Sequence, residues 1–330
     1  MTNQIRVVII LFLAFASVAQ ASIRIAVIGK TKNDSFYVSS HNGCLHFAKS
    51  HPEVSCLYDG PADYQDPRSQ AKVVQRIIAE GVDGLLISTT DSEHLVKEAL
   101  VKAKSKSIPT VMFDSDLLPE HSQYRLAYVG TNNIDFGKAL GNYAHRYKRK
   151  EELTSFCIQS GHHTTPNLNE RIKGVRLALS GGETVAPLDN VNGWKENSRC
   201  PLYSEGKRDT AIFQLEQMIT AYDPPPVIIA VAGFAQFSEK YIGRMQRFKS
   251  RIAADEVVII SADTEPLQLD ALAEGLSTVN IGQRPFEMGR QGTELLYRYI
   301  KYAEKPDKEL FHLGYHYCTP ENLDTCIATE

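Results

Sequence analysis

Carboxylates, amides and aromatic rings follow several of the short apolar runs in this 330-residue sequence. An aspartate accepts hydrogen bonds from two hydroxyl groups, an asparagine or glutamine side chain both donates and accepts, and an aromatic face covers the C–H surface of a sugar ring. This combination suits a small neutral polyol. The residues placed in this way are Asn33, Asp34, Phe36 and Tyr37, then Thr89, Thr90 and Asp91, then Asp114, Ser115 and Asp116, and further along Asp263, Thr264, Gln283 and Arg284.

Motifs for nucleotide binding or covalent chemistry are incomplete. Gly29-Lys30-Thr31 matches the end of a phosphate-binding loop, but that motif requires a glycine where this sequence has Arg24. No dinucleotide-binding glycine pattern follows the first apolar run, and the sequence contains no G-x-S-x-G nucleophile motif. His162 and His163 form an adjacent pair suited to acid and base catalysis, but a polar loop explains them as well, because no matched partner accompanies them. We expect no catalytic residue and no cofactor.

The six cysteines are all found after residue 21, and an even number in an exported chain favours disulfides. Many pairings are possible, so separation along the chain is the only basis for a preference. Sequential pairing joins Cys44 to Cys56, Cys157 to Cys200 and Cys318 to Cys326. A zinc site is the alternative interpretation, but no C-x-x-C pair is present and the cysteines are distant from the histidine pair, so we expect no metal.

Apolar runs alternate with amphipathic stretches from residue 23 onward, which is typical of an α/β protein with parallel sheets. In such open sheets ligands bind beyond the carboxyl ends of the strands, where the polar residues named above occur. The pattern starts again near residue 154, so we predict two doubly wound parallel-sheet lobes. The predicted strands are 23–28, 84–88, 110–113, 126–129, 154–159, 227–231, 257–260 and 277–281, and the predicted helices of the first half are 36–50, 68–81 and 92–106.

Residues 1–21 are predicted to be a signal peptide. Arg6 provides a positive start, a short apolar run follows, and Ala19-Gln20-Ala21 offers a cleavage site between small residues. The apolar run is too short to span a membrane. We therefore expect export to the periplasm, with cleavage near Ala21. The formal net charge of -3 gives no electrostatic reason to expect a nucleic acid as a partner.

Seven segments occur in an order and spacing that resemble one family of exported proteins. They are 23–28 followed by Asn33-Asp34-Ser35-Phe36-Tyr37, then 84–91, 108–116, 128–133, 169–174, Ser261-Ala262-Asp263 and 281–285. In these segments the chain is similar to the ribose- and galactose-binding family of periplasmic proteins, the type I periplasmic binding proteins. The resemblance covers nearly all of the chain after the signal peptide.

The resemblance implies a ligand site built from both lobes. Phe36 and Tyr37 would stack on a sugar ring, or only one of them if the other belongs to the core. Four polar side chains would hydrogen-bond the sugar's hydroxyls and ring oxygen: Asp114, Arg171, Asp263 and Gln283. The predicted ligand-binding set also includes Asp34 and Ser115. Ser115 stands where the ribose-binding pattern has an arginine, and Ala232-Gly233-Phe234 stands where it has Asn-Asp, which argues against ribose itself.

The segment 190–207 is longer than the family pattern. Its aromatic residues Trp194 and Tyr203 are both candidates to face the ligand from the second lobe, and a surface loop joined through Cys200 is the other interpretation. The family's chain crosses between lobes three times, which places the first lobe at 22–129 and 284–312 and the second at 130–283 and 313–330.

The resemblance implies that the two lobes close by hinge motion around a monosaccharide and that the protein delivers it to the permease of an ABC importer. A membrane sensor, such as a histidine kinase or a chemoreceptor, is the alternative partner. A secreted hydrolase that uses His162, His163 or the carboxylates Asp114 and Asp116 is the second alternative.

Overall fold

A computed structural model describes residues 22–149 and 152–327, so the predicted signal peptide lies outside the described residues. The strands are, in chain order, β1 Ile23–Ile28, β2 Val54–Asp59, β3 Gly84–Ile87, β4 Thr110–Phe113, β5 Ala127–Gly130, β6 Thr154–Ser160, β7 Trp194–Glu196, β8 Leu202–Tyr203, β9 Val227–Ala230, β10 Ile259–Ala262, β11 Val279–Gly282, β12 Leu310–His312 and β13 His316–Cys318.

The α-helices are α1 Ser35–Ser50, α2 Pro67–Glu80, α3 Ser92–Leu95, α4 Val101–Ser105, α5 Asn133–Ala144, α6 Pro166–Leu179, α7 Arg208–Thr220, α8 Tyr241–Met245, α9 Lys249–Ala253, α10 Pro266–Ala273 and α11 Pro285–Tyr302. A π-helical turn at Val96–Leu100 joins α3 to α4, and short 3-10 turns occupy Pro119–Tyr124, His145–Tyr147 and Gln246–Phe248.

The strands form two separate sheets, one for each lobe. The first has six strands in the order β12-β5-β4-β3-β1-β2, and its ladders are all parallel. The second has seven strands: β13-β11-β10-β9-β6-β7, with β8 also paired to β6, and only the β13 ladder is antiparallel. The chain passes between the sheets three times, after Gly130, after Gly282 and after His312. The predicted fold class of two doubly wound lobes joined by a three-segment hinge is confirmed.

The central strands are buried because helices cover both faces of each sheet. In the first lobe one apolar cluster includes Ile25, Val27 and Phe113, while the neighbouring residues Ala26 and Ile28 point to a second cluster on the opposite face. This alternation follows from the two-residue period of a strand. In the second lobe one larger cluster fills most of the interior, and a small one surrounds the bridge between Cys318 and Cys326. Because packing on both faces holds the strands in place, the loops that follow them begin at fixed positions.

Two helix pairs approach closely at glycines and thereby position site residues. A Cβ atom on Gly137 of α5 would collide with the backbone of Arg171 on α6, and one on Gly289 of α11 would collide with the backbone of Ser40 on α1. Because glycine permits this close packing, α6 holds Arg171 and α1 holds Phe36 and Tyr37 at fixed depths.

The structure pairs the six cysteines in sequential order, as preferred from their separations: Cys44 with Cys56, Cys157 with Cys200, and Cys318 with Cys326. The first bridge joins α1 to β2, and the second joins the central strand β6 to the loop before β8. The third closes a short loop after β13. Each bridge therefore lies within one lobe.

Several predicted boundaries differ from the structure. The strand predicted at 257–260 begins two residues later, because the β9 ladder begins at the pair Ile259 and Ile228. The edge strand β2 was not among the predicted strands, since most of its residues are only half-buried and its apolar signal is weak. The short edge strands β12 and β13 were missed for the same reason.

Candidate functional site

A narrow cleft separates the two sheets where their carboxyl edges face each other. Its walls come from the loops that follow β1, β2, β4, β9, β10 and β11 and from the first turns of α1 and α6. The space left between these walls is about 20 Å³, room for roughly one water molecule. The lining residues are Lys30, Asp34, Phe36, Tyr37, Gln65, Asp114, Asn167, Leu168, Arg171, Ala232, Phe234, Phe237, Asp263 and Gln283.

Asp114 and Asp263 occupy equivalent positions on the two sides of the cleft. Each directly follows a central strand, β4 or β10, and each adopts a left-handed backbone conformation, with φ of 56° and 72°. Aspartate tolerates this region better than most residues, but the conformation still costs free energy and is concentrated at functional sites. The left-handed turn directs each carboxylate into the cleft instead of along its strand.

Asp114 is the centre of a dense hydrogen-bond network. Its Oδ2 accepts from the Tyr37 hydroxyl at 3.1 Å and from the Ser88 hydroxyl at 2.8 Å, and forms a salt bridge with Lys30 Nζ at 3.1 Å. Its Oδ1 accepts from Asn167 Nδ2 at 3.0 Å. Because Asn167 belongs to the second lobe, this last bond crosses the cleft.

Arg171 connects the two aspartates through Gln283. It is only 1% exposed, so its charge is held inside the protein. Its Nη2 lies 3.5 Å from Asp114 Oδ1 and donates to Gln283 Oε1 at 2.9 Å, and Gln283 Nε2 donates to Asp263 Oδ1 at 2.8 Å. The guanidinium also donates to Asn133 and to the carbonyl of Val231. A single cation thus joins both lobes and the second hinge crossing.

Lys30 is the main cleft residue that sequence reasoning missed. Lys30 is only 2% exposed. Its Nζ donates a hydrogen bond to Asn167 Oδ1 at 3.0 Å and also forms the salt bridge with Asp114. The sequence signal was present, since Lys30 lies two residues past β1, but the residue was considered only as part of a phosphate-binding motif. Gln65 and Asn167 follow no predicted strand and carried no comparable signal.

The structure brings seven of the eight predicted ligand-binding residues into the cleft lining: Asp34, Phe36, Tyr37, Asp114, Arg171, Asp263 and Gln283. Ser115 is fully buried and does not line this cavity, and its Oγ has no hydrogen-bond partner among the described residues. Both Phe36 and Tyr37 also belong to the first lobe's apolar core, so core packing and cleft lining are not exclusive.

The aromatic rings of the second lobe come from a loop that the sequence did not suggest. Trp194 is fully buried in the core, and Tyr203 is partly exposed beside His163. The rings that line the cleft are Phe234 and Phe237, in the loop after β9. This is the loop where the sequence departs from the ribose-binding pattern.

Burial and charge shift the pKa values of the cleft carboxyls in different directions. Burial by itself raises the pKa of Asp114, but the attraction of Lys30 and Arg171 and the hydrogen bonds from Ser88 and Lys30 outweigh it, so the pKa lies below its usual value. Burial also lowers the pKa of Lys30, and Asp114 offsets this only in part. Burial raises the pKa of Asp263, and it raises the pKa of Asp34 to about 6. Asp114 is therefore ionised at neutral pH.

A fourth carboxyl, Glu265, lies at the lobe interface next to the cleft. It forms the capping box of α10 with Gln268 and shares a hydrogen bond with Ser35 of the facing lobe. Burial raises the pKa of Glu265 to about 8, and Asp34 and Asp263 add to this. The folded protein thus holds a proton on Glu265 at neutral pH that an unfolded chain releases.

Because the folded state holds this proton, we predict that the protein becomes less stable as the pH rises. Between the usual pKa of 4.5 and the raised value of about 8 the native state binds more protons than the unfolded state, so the free energy of unfolding declines across this range. We expect the melting temperature of Glu265→Gln to change little with pH above pH 6. Below pH 6 it should still fall as the pH rises, because Asp34 titrates there. The exposed Glu239→Gln should leave the whole profile unchanged. A Glu265→Gln profile parallel to wild type would show that Glu265 is ionised in the folded protein.

Residues 22–149 and 152–327 contain neither a metal-binding cluster nor a membrane-spanning helix. No group of three or more histidine, cysteine or carboxylate residues in these ranges is arranged to hold a metal ion. No helix in them has both the length and the apolar character that a membrane span requires.

Comparisons with known proteins agree with this architecture. The sequence matches the periplasmic binding protein domain family over residues 25–305. It is 29% identical over 175 residues to a D-ribose/D-allose-binding protein of Pseudomonas aeruginosa, and this match covers 51% of the chain and 54% of that relative. The chain thus matches about half the length of that curated relative.

Solved structures show the same fold at lower identity. The solute-binding protein of an ABC transporter from Burkholderia graminis, in complex with D-arabinose, is 21% identical with a TM-score of 0.75, over 92% of this chain and 98% of that one. One from Agrobacterium vitis, bound to α-D-tagatopyranose, is 19% identical with a TM-score of 0.77, over 92% and 97%. A third, from Actinobacillus succinogenes with bound D-allose, is 18% identical with a TM-score of 0.73, over 91% of this chain and 99% of that one. With a family match over most of its length and this fold, the chain belongs to the periplasmic binding protein domain family.

Proposed function

We propose that this protein is a periplasmic solute-binding protein that closes its two lobes around a small polar ligand, a sugar, and delivers it to the permease of an ABC importer. The observation that carries the proposal is the pair Asp114 and Asp263, turned into one cleft from equivalent strand ends of the two lobes. Groups from both lobes that contact one ligand convert its binding energy into closure. The sugars named for the similar proteins, ribose, allose, arabinose and tagatose, support the ligand class.

The cleft supplies the groups that a sugar requires. Asp114 and Asp263 accept hydrogen bonds from hydroxyls, Arg171 donates to hydroxyl or ring oxygens, and Gln283 can do both. Phe36 and Tyr37 from one lobe and Phe234 and Phe237 from the other cover the apolar faces of the ring. Lys30 and Asn167 add donors and acceptors that join the first lobe to the second. We therefore add four residues to the proposed ligand-binding set: Lys30 from the first lobe and Asn167, Phe234 and Phe237 from the second.

Ligand entry requires the lobes to separate. A cavity of about 20 Å³ is far smaller than the several hundred Å³ of ordinary small-molecule sites. We infer opening about the three crossings, with lobes at 22–129 plus 284–312 and 130–283 plus 313–330. Thr131 and Gln283, from two of these crossings, are hydrogen-bonded at 2.9 Å and are suited to move together.

The protein's place of action follows from its family and its first residues. We propose export to the periplasm with removal of residues 1–21 near Ala21. Oxidation of the three cysteine pairs suits that compartment.

The site geometry favours binding over hydrolysis. Asp116, the suggested partner of Asp114 in acid and base catalysis, is held by Arg125 through bonds of 2.6 and 2.9 Å to both of its oxygens. His162 and His163 stack on each other outside the cleft lining. A proton-sharing carboxylate pair therefore does not form around Asp114.

A thermal-shift screen of the mature protein tests the proposal. A ligand that binds only the folded state raises its melting temperature in a saturable manner. We expect one or more monosaccharides to do so, with the sugar recovered unchanged. No shift with any sugar or polyol would overturn the sugar assignment, and conversion of the bound compound would point to an enzyme instead.

A further inference from the structure

The charges that line the cleft do not balance. Two cations, Lys30 and Arg171, face three carboxyls, Asp34, Asp114 and Asp263. All five side chains belong to residues that are at most 6% exposed. Counted with ordinary ionisation, the lining carries one excess negative charge in a place from which water is largely excluded.

Both cations are committed to the same carboxylate. Lys30 Nζ lies 3.1 Å and Arg171 Nη2 lies 3.5 Å from oxygens of Asp114. Neither Asp34 nor Asp263 forms a salt bridge with any residue in the described ranges. Asp34 and Asp263, one from each lobe, are therefore the two lining carboxylates without a salt bridge in the described chain.

Asp34 has an oxygen free to bind a ligand. Its Oδ1 accepts from the backbone N–H of Phe36 at 3.0 Å and caps α1, while its Oδ2 has no hydrogen-bond partner within the described chain. The residue is 6% exposed and lines the cavity, so this oxygen is available to a ligand bound there. No cation among the described residues forms a salt bridge with this buried carboxylate, which is costly. Burial raises the pKa of Asp34 to about 6, although the hydrogen bond from Phe36 N and the charge of Arg208 oppose the shift.

The apolar walls beside these carboxyls also suit a cation. Phe36 from the first lobe and Phe234 and Phe237 from the second are all buried and line the same cavity. The negative face of an aromatic ring attracts a desolvated ammonium group, and a neutral hydroxyl gains nothing comparable.

We propose that the ligand is a polyol that carries a protonated amine, an amino sugar, whose ammonium group binds between Asp34 and Asp263. This inference rests on the proposed sugar-binding function of the same cleft. Asp114 and Arg171 hold the hydroxyls of such a ligand, and its positive charge restores neutrality when the lobes close.

Matched sugars separate this proposal from the broader one. We would titrate the mature protein by calorimetry with D-glucosamine, D-galactosamine and D-mannosamine, with their N-acetyl derivatives and with the parent hexoses. We expect at least one amine to bind about tenfold tighter than both its parent and its uncharged N-acetyl form, the effect of one hydrogen bond to a charged group. A parent hexose that binds as well as its amine would overturn the amine assignment and leave the sugar-binding function intact. Failure of all three sets to bind would overturn the amine assignment, and the thermal-shift screen of the other sugars would then decide the sugar-binding function.

Asp34→Asn tests the residue itself with little risk to folding, because asparagine caps a helix as well as aspartate does. We expect the variant to lose about tenfold in amine affinity while affinity for the parent hexose changes little. The matched control is Asp66→Asn: Asp66 caps α2 through the same kind of bond, to Arg68 N at 3.0 Å, and does not line the cleft. An equal loss for amine and parent sugar would make Asp34 an ordinary hydroxyl contact and contradict the proposal.

Discussion

Replacement of Asp114 by alanine is expected to weaken sugar binding by more than about tenfold, because it removes a carboxylate that accepts hydrogen bonds in a buried site. The same change leaves Lys30 and Arg171 buried without their shared partner. Removal of one member of a buried ion pair costs about 3–5 kcal/mol of unfolding free energy. We therefore expect a lower melting temperature together with the loss of affinity, measured by thermal unfolding and calorimetric titration.

A second variant separates the two effects of this substitution. Asp116→Ala breaks a comparable ion pair, with Arg125, two residues along the chain and outside the cleft lining. It should destabilise the protein yet retain affinity. Adding Lys30→Met to Asp114→Ala should recover part of the lost stability, because one unpaired cation is removed, without restoring binding. Unchanged affinity in folded Asp114→Ala would remove Asp114 from the site.

The positions of most cleft residues followed from the sequence because strand ends are easy to predict. The β3 and β4 runs are mostly apolar and buried along their whole length, so their limits are clear, and Asp114 directly follows β4. In a parallel sheet all such ends meet at one edge. Burial of Asp114, Asp263 and Gln283 in one cavity is therefore a consequence of topology.

Other features depend on contacts that no local pattern encodes. Lys30 is hydrogen-bonded to Asn167, which lies 137 residues later in the chain and approaches it from the other lobe. Phe234 and Phe237 line the cleft because the loop after β9 folds back beside Asp263, as the hydrogen bond from Gly233 N to Asp263 indicates. Ser115 illustrates the opposite error: it neighbours Asp114 in sequence, but the left-handed turn at Asp114 directs it away from the cavity.

Loss of the bridge between Cys157 and Cys200 is expected to have the largest effect on stability among the three disulfides. Its cysteines are separated by 43 residues, against 12 for Cys44 and Cys56 and 8 for Cys318 and Cys326. In the chain-entropy description the stabilisation grows with the logarithm of loop length, to about 4 kcal/mol for the long loop and about 2.5 kcal/mol for the shortest. The double replacement of Cys157 and Cys200 by alanine should therefore lower the melting temperature by about 10 °C, roughly one and a half times the decrease expected for the pair Cys318 and Cys326.

Sugar affinity distinguishes this stabilising role from a role in the site. Neither cysteine pair lines the cleft, so both double variants should bind sugar normally well below their melting temperatures. Cys157 is fully buried in β6, and its removal also leaves a small cavity, which adds to the loss for that pair. Equal decreases for the two pairs would therefore contradict both the loop-length argument and the packing argument. A loss of affinity confined to the Cys157 and Cys200 variant would show instead that this bridge fixes the loop at 161–165, which leads from β6 to the cleft residue Asn167 at the start of α6.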